Sequence, residues 1–184
     1  AIGKGAAYGS AYTAYANVCI GDTAGNALTS GSSNVFIGSY NSNTADYSAG
    51  TAITTGYNNV FVGTGVANNA TTAYNNTGIG YRTFLNLTTG STNIALGNLN
   101  AGTLTTGSAN TYIGNYVNAS GAAVSAEIVI GTYNTTGKGG STGFINRSGG
   151  GVYQGNNSAS WSTTCDRRLK KNIVDNNEIG RAHV

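Results

Sequence analysis

Residues 93–114 read NIALGNLNAGTLTTGSANTYIG, and the end of this stretch restarts its beginning. Asn93 opens an Asn-x-x-Leu-Gly segment that closes at Gly97, and Asn110 opens Asn-x-x-Ile-Gly, closing at Gly114. Working outward, the pattern recurs at 17–21, 34–38, 59–63 and 76–80, with Glu127 replacing Asn in a copy at 127–131. Ala1, Ile2 and Gly3 are the end of an earlier copy. The closing glycines are separated by 18, 17, 25, 17, 17, 17 and 17 residues. The period is therefore 17, with one extra residue in the first interval and an insertion of eight in the third.

Each unit has the same internal order. Val18, Val35, Val60, Thr77, Ile94, Thr111 and Ile128 follow the Asn position. Two residues further on stand Ile20, Ile37, Val62, Ile79, Leu96, Ile113 and Ile130. A spacing of two among β-branched residues places both sets on one face of a strand. Glycine then permits a turn. Leu28, Ile53, Ala70, Leu87 and Leu104 supply another inward group, before a Thr/Ser pair and a second small residue. Seventeen residues hold two short strands and two bends, too few for a helix, a strand and their turns. The expectation is an all-β fold, a parallel β-solenoid or β-roll of 17-residue rungs. The Ile20 to Ile130 column is expected to be buried and the asparagines to stack in a hydrogen-bonded ladder. Between the two columns lie Cys19, Phe36, Phe61, Ala95, Tyr112 and Val129, which face the other way. An exposed apolar stripe is covered by self-association, so these residues are expected to line a contact between copies.

Composition agrees with repeats. The 184 residues include 29 Gly, 12 Tyr, no Pro and no Met. Only 8% are charged, against about 25% in an ordinary soluble domain, so Thr, Asn, Ser and Gly do the solvating. Gly, Asn, Thr and Tyr are poor helix formers. No apolar run reaches the roughly 18 residues of a spanning helix, and neither a signal peptide nor membrane insertion is expected. The absence of Met even at position 1 reads as a piece of a longer product. Residues 1–164 carry four cations against three anions, and 165–184 carry five against three. That shift marks a boundary near Thr164. The basic cluster lacks the interleaved aromatics that base stacking uses, so no nucleic-acid partner is expected.

The repeat text resembles the Asn-x-x-Ile-Gly repeats of phage tail-fibre proteins and is similar to the head repeats of trimeric autotransporter adhesins. Over residues 1–143 the resemblance implies a β-roll shaft associating as a homotrimer. Residues 144–164, with Trp161, look like a connector. From Cys165 to Ile173 the sequence CDRRLKKNI resembles the opening of the intramolecular chaperone auto-processing domain that ends many phage tailspikes. That resemblance implies a domain that trimerises, guides folding and cuts itself off with a Ser–Lys dyad. Lys170 falls on the dyad lysine, and Asp166, Arg168 and Leu169 match the motif. Cys165 stands where the family has Ser; a thiol can serve as nucleophile when a neighbouring cation lowers its pKa. Residues 178–184 resemble the translation of a short-read sequencing adapter and are set aside, which leaves 165–177 as a truncated start of the chaperone domain. Cleavage is expected in a chain carrying the whole domain and not in this one.

The expected function is the shaft of a viral tail fibre or spike in the virion tail, presenting a surface to a host glycan or receptor. The rivals are a bacterial surface adhesin, which would run into a stalk and anchor, and a glycan-degrading tailspike. The latter needs paired carboxylates, whereas Asp22, Asp46 and Glu127 fall in different rungs. One His and no paired Cys motif give no metal spacing, and no cofactor is expected. Catalytic candidates are Cys165 and Lys170 alone. Cys19 reads as a small apolar filler. The insertion, roughly residues 41–48, is expected to bulge without disturbing register. With Tyr40 before it and Asp46 and Tyr47 within it, the insertion offers an aromatic and polar set for a glycan. Its deletion is expected to leave stability nearly unchanged.

Overall fold

The structure, a computed structural model, describes residues 1–9, 13–43, 46–147, 150–155 and 158–163. Three-residue strands recur at the repeat: β1 (Val18–Ile20), β2 (Val35–Ile37), β3 (Val60–Val62), β4 (Thr77–Ile79) and β5 (Ile94–Leu96). They continue as β6 (Thr111–Gly114), β7 (Val117–Asn118), β8 (Ile128–Gly131), β9 (Thr135–Thr136) and β10 (Gly143–Asn146), then β11 (Gly151–Gln154) and β12 (Trp161–Thr163). The chain is an all-β solenoid of about seven turns. Strands β1 to β6, β8 and β10 form one parallel sheet, and β11 and β12 extend it antiparallel. β7 and β9 pair separately on a second side of the coil.

Register is like on like. Val18 pairs with Val35, Val35 with Val60, and Phe36 with Phe61. The last pairing also crosses the insertion, which leaves the rungs on either side aligned. The rungs are held by a ladder of amides. Asn34, Asn59, Asn76, Asn93 and Asn110 are fully buried. Each places its side-chain oxygen on the main-chain N–H of the residue one rung on. Each also donates a side-chain N–H to a carbonyl of the next bend, as Asn93 does to Gly107 at 2.9 Å. Every donor and acceptor of these amides is used, which is the condition for burying them.

The same ladder decides which side of the strand faces inward. Side chains alternate along a strand, so if the Asn is inside, the residue two positions on is inside as well. Cys19, Phe36, Phe61, Ala95, Tyr112 and Val129 are accordingly buried, together with the Leu28 to Leu104 column. This corrects the expected orientation. Ile20, Ile37, Val62, Ile79, Leu96, Ile113 and Ile130 do stack in register, but they point outward. Ile20 is 37% exposed and Ile79 42%. The aromatic stripe assigned to self-association is instead the core.

The core is filled by trading volume between neighbouring positions. Phe36 lies over Gly25 and Gly50, where an added Cβ would stand 2.8 Å from its ring. In the fourth rung the strand residue is Gly78, and Phe84 from the following bend occupies the space: a Cβ on Gly78 would meet it at 3.0 Å. Phe36 and Phe61 stack with centroids 5.6 Å apart. Close packing of this kind leaves little room for a methylene more or less.

Candidate binding cleft

The eight-residue insertion leaves the coil after Gly38, at the corner that follows β2. Its two limbs meet as a short antiparallel bridge: Asn41 N–H donates to Asp46 O at 2.9 Å, and Asp46 N–H returns to Asn41 O at 3.2 Å. Asn41 also accepts the Asn43 N–H on its own side-chain oxygen at 3.0 Å, the local bond that makes Asn a turn residue.

Asp46 is 4% exposed. Arg82 Nε donates to its Oδ1 at 2.6 Å and the Tyr81 hydroxyl to its Oδ2 at 2.7 Å. The carboxylate in turn raises the pKa of Arg82, chiefly through that hydrogen bond, and the guanidinium lies 5.4 Å from the Tyr81 ring centroid. Asp46 therefore holds the insertion against the rung of Tyr81 instead of facing solvent. Gly65 N–H donates to Tyr47 O at 2.8 Å. The insertion is fastened to the coil at two points, contacts that the sequence expectation of a simple bulge did not include.

What the fastening presents is aromatic. Tyr40 and Tyr47 are half-exposed, their rings 5.9 Å apart and tilted by 52°. They form one wall of a cleft of about 450 Å³. Lys4, Gly5 and Tyr8 of the first rung and Asp22, Thr23 and Asn26 of the second complete it. Thr23 is held by its N–H to Lys4 O at 2.9 Å and by its hydroxyl to Asp22 O at 2.7 Å. Of the three residues singled out from sequence, Tyr40 and Tyr47 line the cleft and Asp46 supports it. Tyr8, Asp22 and Asn26 were missed because they lie in earlier rungs, 14 or more residues from Tyr40, and only stacking brings them together.

Two further polar groups are structural. Glu127, at the Asn position of the seventh repeat, is fully buried. It accepts from the Tyr112 hydroxyl at 3.0 Å, Ser120 N–H at 3.1 Å and Gly139 N–H at 2.8 Å. A carboxylate accepts but cannot donate, so the amide ladder ends here. Burial, and then the Glu127 charge, push the Tyr112 hydroxyl well above its ordinary pKa. Cys19 is a buried free thiol whose pKa is raised mainly by desolvation, the condition of an unreactive cysteine. Among the described residues, no three His, Cys, Asp or Glu side chains gather as a metal site would need, and no helix is long and apolar enough to cross a membrane. Cys165 and Lys170 lie outside the described residues. No protein-family model, curated protein or solved structure matches the chain.

Proposed function

We propose that this chain is the shaft of a homotrimeric viral attachment fibre, of the tail-fibre or tailspike kind, ending in the start of a self-cleaving chaperone. The observation that carries the reading is the outward face of the long sheet. Two columns run side by side on the parallel sheet: Ile20 to Ile145 over eight strands and apolar throughout, and Val18 to Ile128 over seven strands with Thr77 and Thr111 among them. At the strand spacing of about 4.8 Å the Ile20 to Ile145 column is an unbroken apolar stripe more than about 30 Å long, flanked by the largely apolar Val18 to Ile128 column. Contiguous apolar surface rimmed by polar residues marks an interaction site, and flat β-branched columns with a fixed repeat suit an identical neighbour. Trp161 stands 54% exposed beside Ile128, Ile130 and Ile145 at the C-terminal end of the band, where it widens the same face. The resemblance of the repeats to tail-fibre shafts, and of residues 165–173 to the chaperone opening, supports three copies and a virion setting.

Sedimentation equilibrium of the chain tests the reading. The expected result is a trimer that dissociates when Ile79→Glu and Ile113→Glu are combined, because six carboxylates would then be buried without partners. A monomeric wild-type chain at micromolar concentration, or a trimer indifferent to both charges, overturns it.

A further inference from the structure

We infer that the cleft between the insertion and the first two rungs is a binding site for a neutral oligosaccharide. The proposal adds a ligand site to the attachment reading and leans on it only for the ligand's place on a cell surface. The cleft lining includes none of the outward strand residues assigned to self-association.

The insertion is an addition to the 17-residue period. It is dispensable for register, because Val35, Phe36 and Ile37 pair with Val60, Phe61 and Val62 as though it were absent. Yet it is tied down by a buried carboxylate shared between Arg82 and Tyr81. A fastening of this kind, applied to a segment that the rung register does not need, fixes what the segment displays. It displays Tyr40 and Tyr47 opposite the highly exposed Tyr8.

Tyrosine rings offer a flat apolar face with a polar tip, which matches a pyranose ring with its C–H groups on one face and hydroxyls at its edge. The polar groups among the rings complete the match. Asp22 supplies two carboxylate acceptors, Asn26 both donors and acceptors, and Lys4 three donors. Adjacent hydroxyls on a sugar each donate and accept, so a mixed set serves them. Lys4 and Asp22 carry opposite charges within one cleft and offset each other, which favours an uncharged ligand over an acidic one. A few convergent polar groups in a largely apolar recess is the general form of a small-ligand site.

Saturation-transfer NMR on the full chain with maltohexaose, cellohexaose, chitohexaose and colominic acid as probes tests the proposal. At least one neutral probe should receive magnetisation on its ring C–H protons. Tyr8→Ala and Tyr47→Ala should each weaken that binding by about tenfold or more, while Tyr47→Phe retains it. Tyr57→Ala serves as the folding control: Tyr57 and Tyr74 stack at 5.0 Å at the other end of the strand, and its loss should not change binding. Transfer to none of the three neutral probes, transfer to colominic acid alone, or binding that survives the paired loss of Tyr8 and Tyr47 would each overturn the assignment. A monomeric chain that still binds would sink only the trimer reading.

Discussion

Asn76 Oδ1 accepts two hydrogen bonds from Asn93, one from its main-chain N–H and one from its side-chain N–H, each at 3.0 Å. Asn76 in turn donates to Gly90 O at 2.9 Å and to Asn59 Oδ1 at 3.1 Å. Replacing it with Ala orphans two buried donors on Asn93. Each unsatisfied group costs about 1–3 kcal/mol, so Asn76→Ala should lose about 2–6 kcal/mol in denaturant unfolding. Asn69 also reaches an Asn one rung on, Asn86, but at 3.4 Å and in solvent. Asn69→Ala should stay within about 0.5 kcal/mol of wild type. Equal losses at the two positions would mean that burial of the ladder is not what stabilises it.

Glycine substitutions should divide by position along the coil. Gly97 has φ +129°, and a Cβ there would run into the carbonyl oxygen of Gly114 one rung on. That backbone region is open to glycine almost alone and costs about 1–3 kcal/mol for other residues, before the steric conflict is counted. Gly97→Ala should therefore cost at least about 2 kcal/mol. A Cβ on Gly121 would meet nothing within 4 Å, and its φ is not left-handed. Gly121→Ala should be neutral or stabilise by about 0.4–1 kcal/mol through the unfolded chain. Thermal scans of the two variants give the comparison, and a tolerated Gly97→Ala would contradict the close rung contact.

The repeat made the coil legible from the sequence, because a fixed period forces identical residues into stacked positions. The sidedness was misread for a definable reason. Val35, Phe36 and Ile37 are all apolar, so a three-residue strand carries no polar alternation to mark its outer face. The parity was nevertheless in the sequence. A ladder of stacked amides must be inside to be dry, and Asn34, Phe36 and Gly38 share a side by alternation. Gly78 beside Phe84 was a second signal, since lost volume at one inward position is restored at another. The cleft was half legible. An insertion that breaks a strict period is visible as such, but that Asp46 would be consumed by Arg82, 36 residues away, depends on which rungs the coil brings beside it.

Thr92 offers a stabilising change. It sits in the left-handed region at φ 58°, directly before the ladder residue Asn93. The equivalent positions one and two rungs back are Asn75 and Asn58, at φ 56° and 55°, and Asn58 donates to Asn75 across the rung at 3.1 Å. A β-branched residue is strained in that conformation, whereas Asn tolerates it. Thr92→Asn should raise stability by about 0.5–1 kcal/mol and extend the outer row by one amide. A lowered unfolding midpoint would show that the Thr92 side chain makes a contribution its exposure conceals.

Tyr112 makes stability depend on alkali. Its hydroxyl is buried and donates to Glu127 at 3.0 Å. Desolvation comes first among the causes that raise its pKa, with the Glu127 charge and the hydrogen bond following. In the unfolded chain a tyrosine titrates near pH ~10. Raising an acid's pKa in the folded state means that the unfolded state loses its proton first. The contribution is therefore fully present below pH ~10 and is lost progressively above it. Denaturant midpoints should fall as the pH rises from about 9 to about 11, and Tyr112→Phe should flatten that slope even though it leaves Glu127 one donor short and lowers stability at neutral pH. If the variant keeps the wild-type slope, the alkaline loss arises at another group and Tyr112 is not the one that resists ionisation.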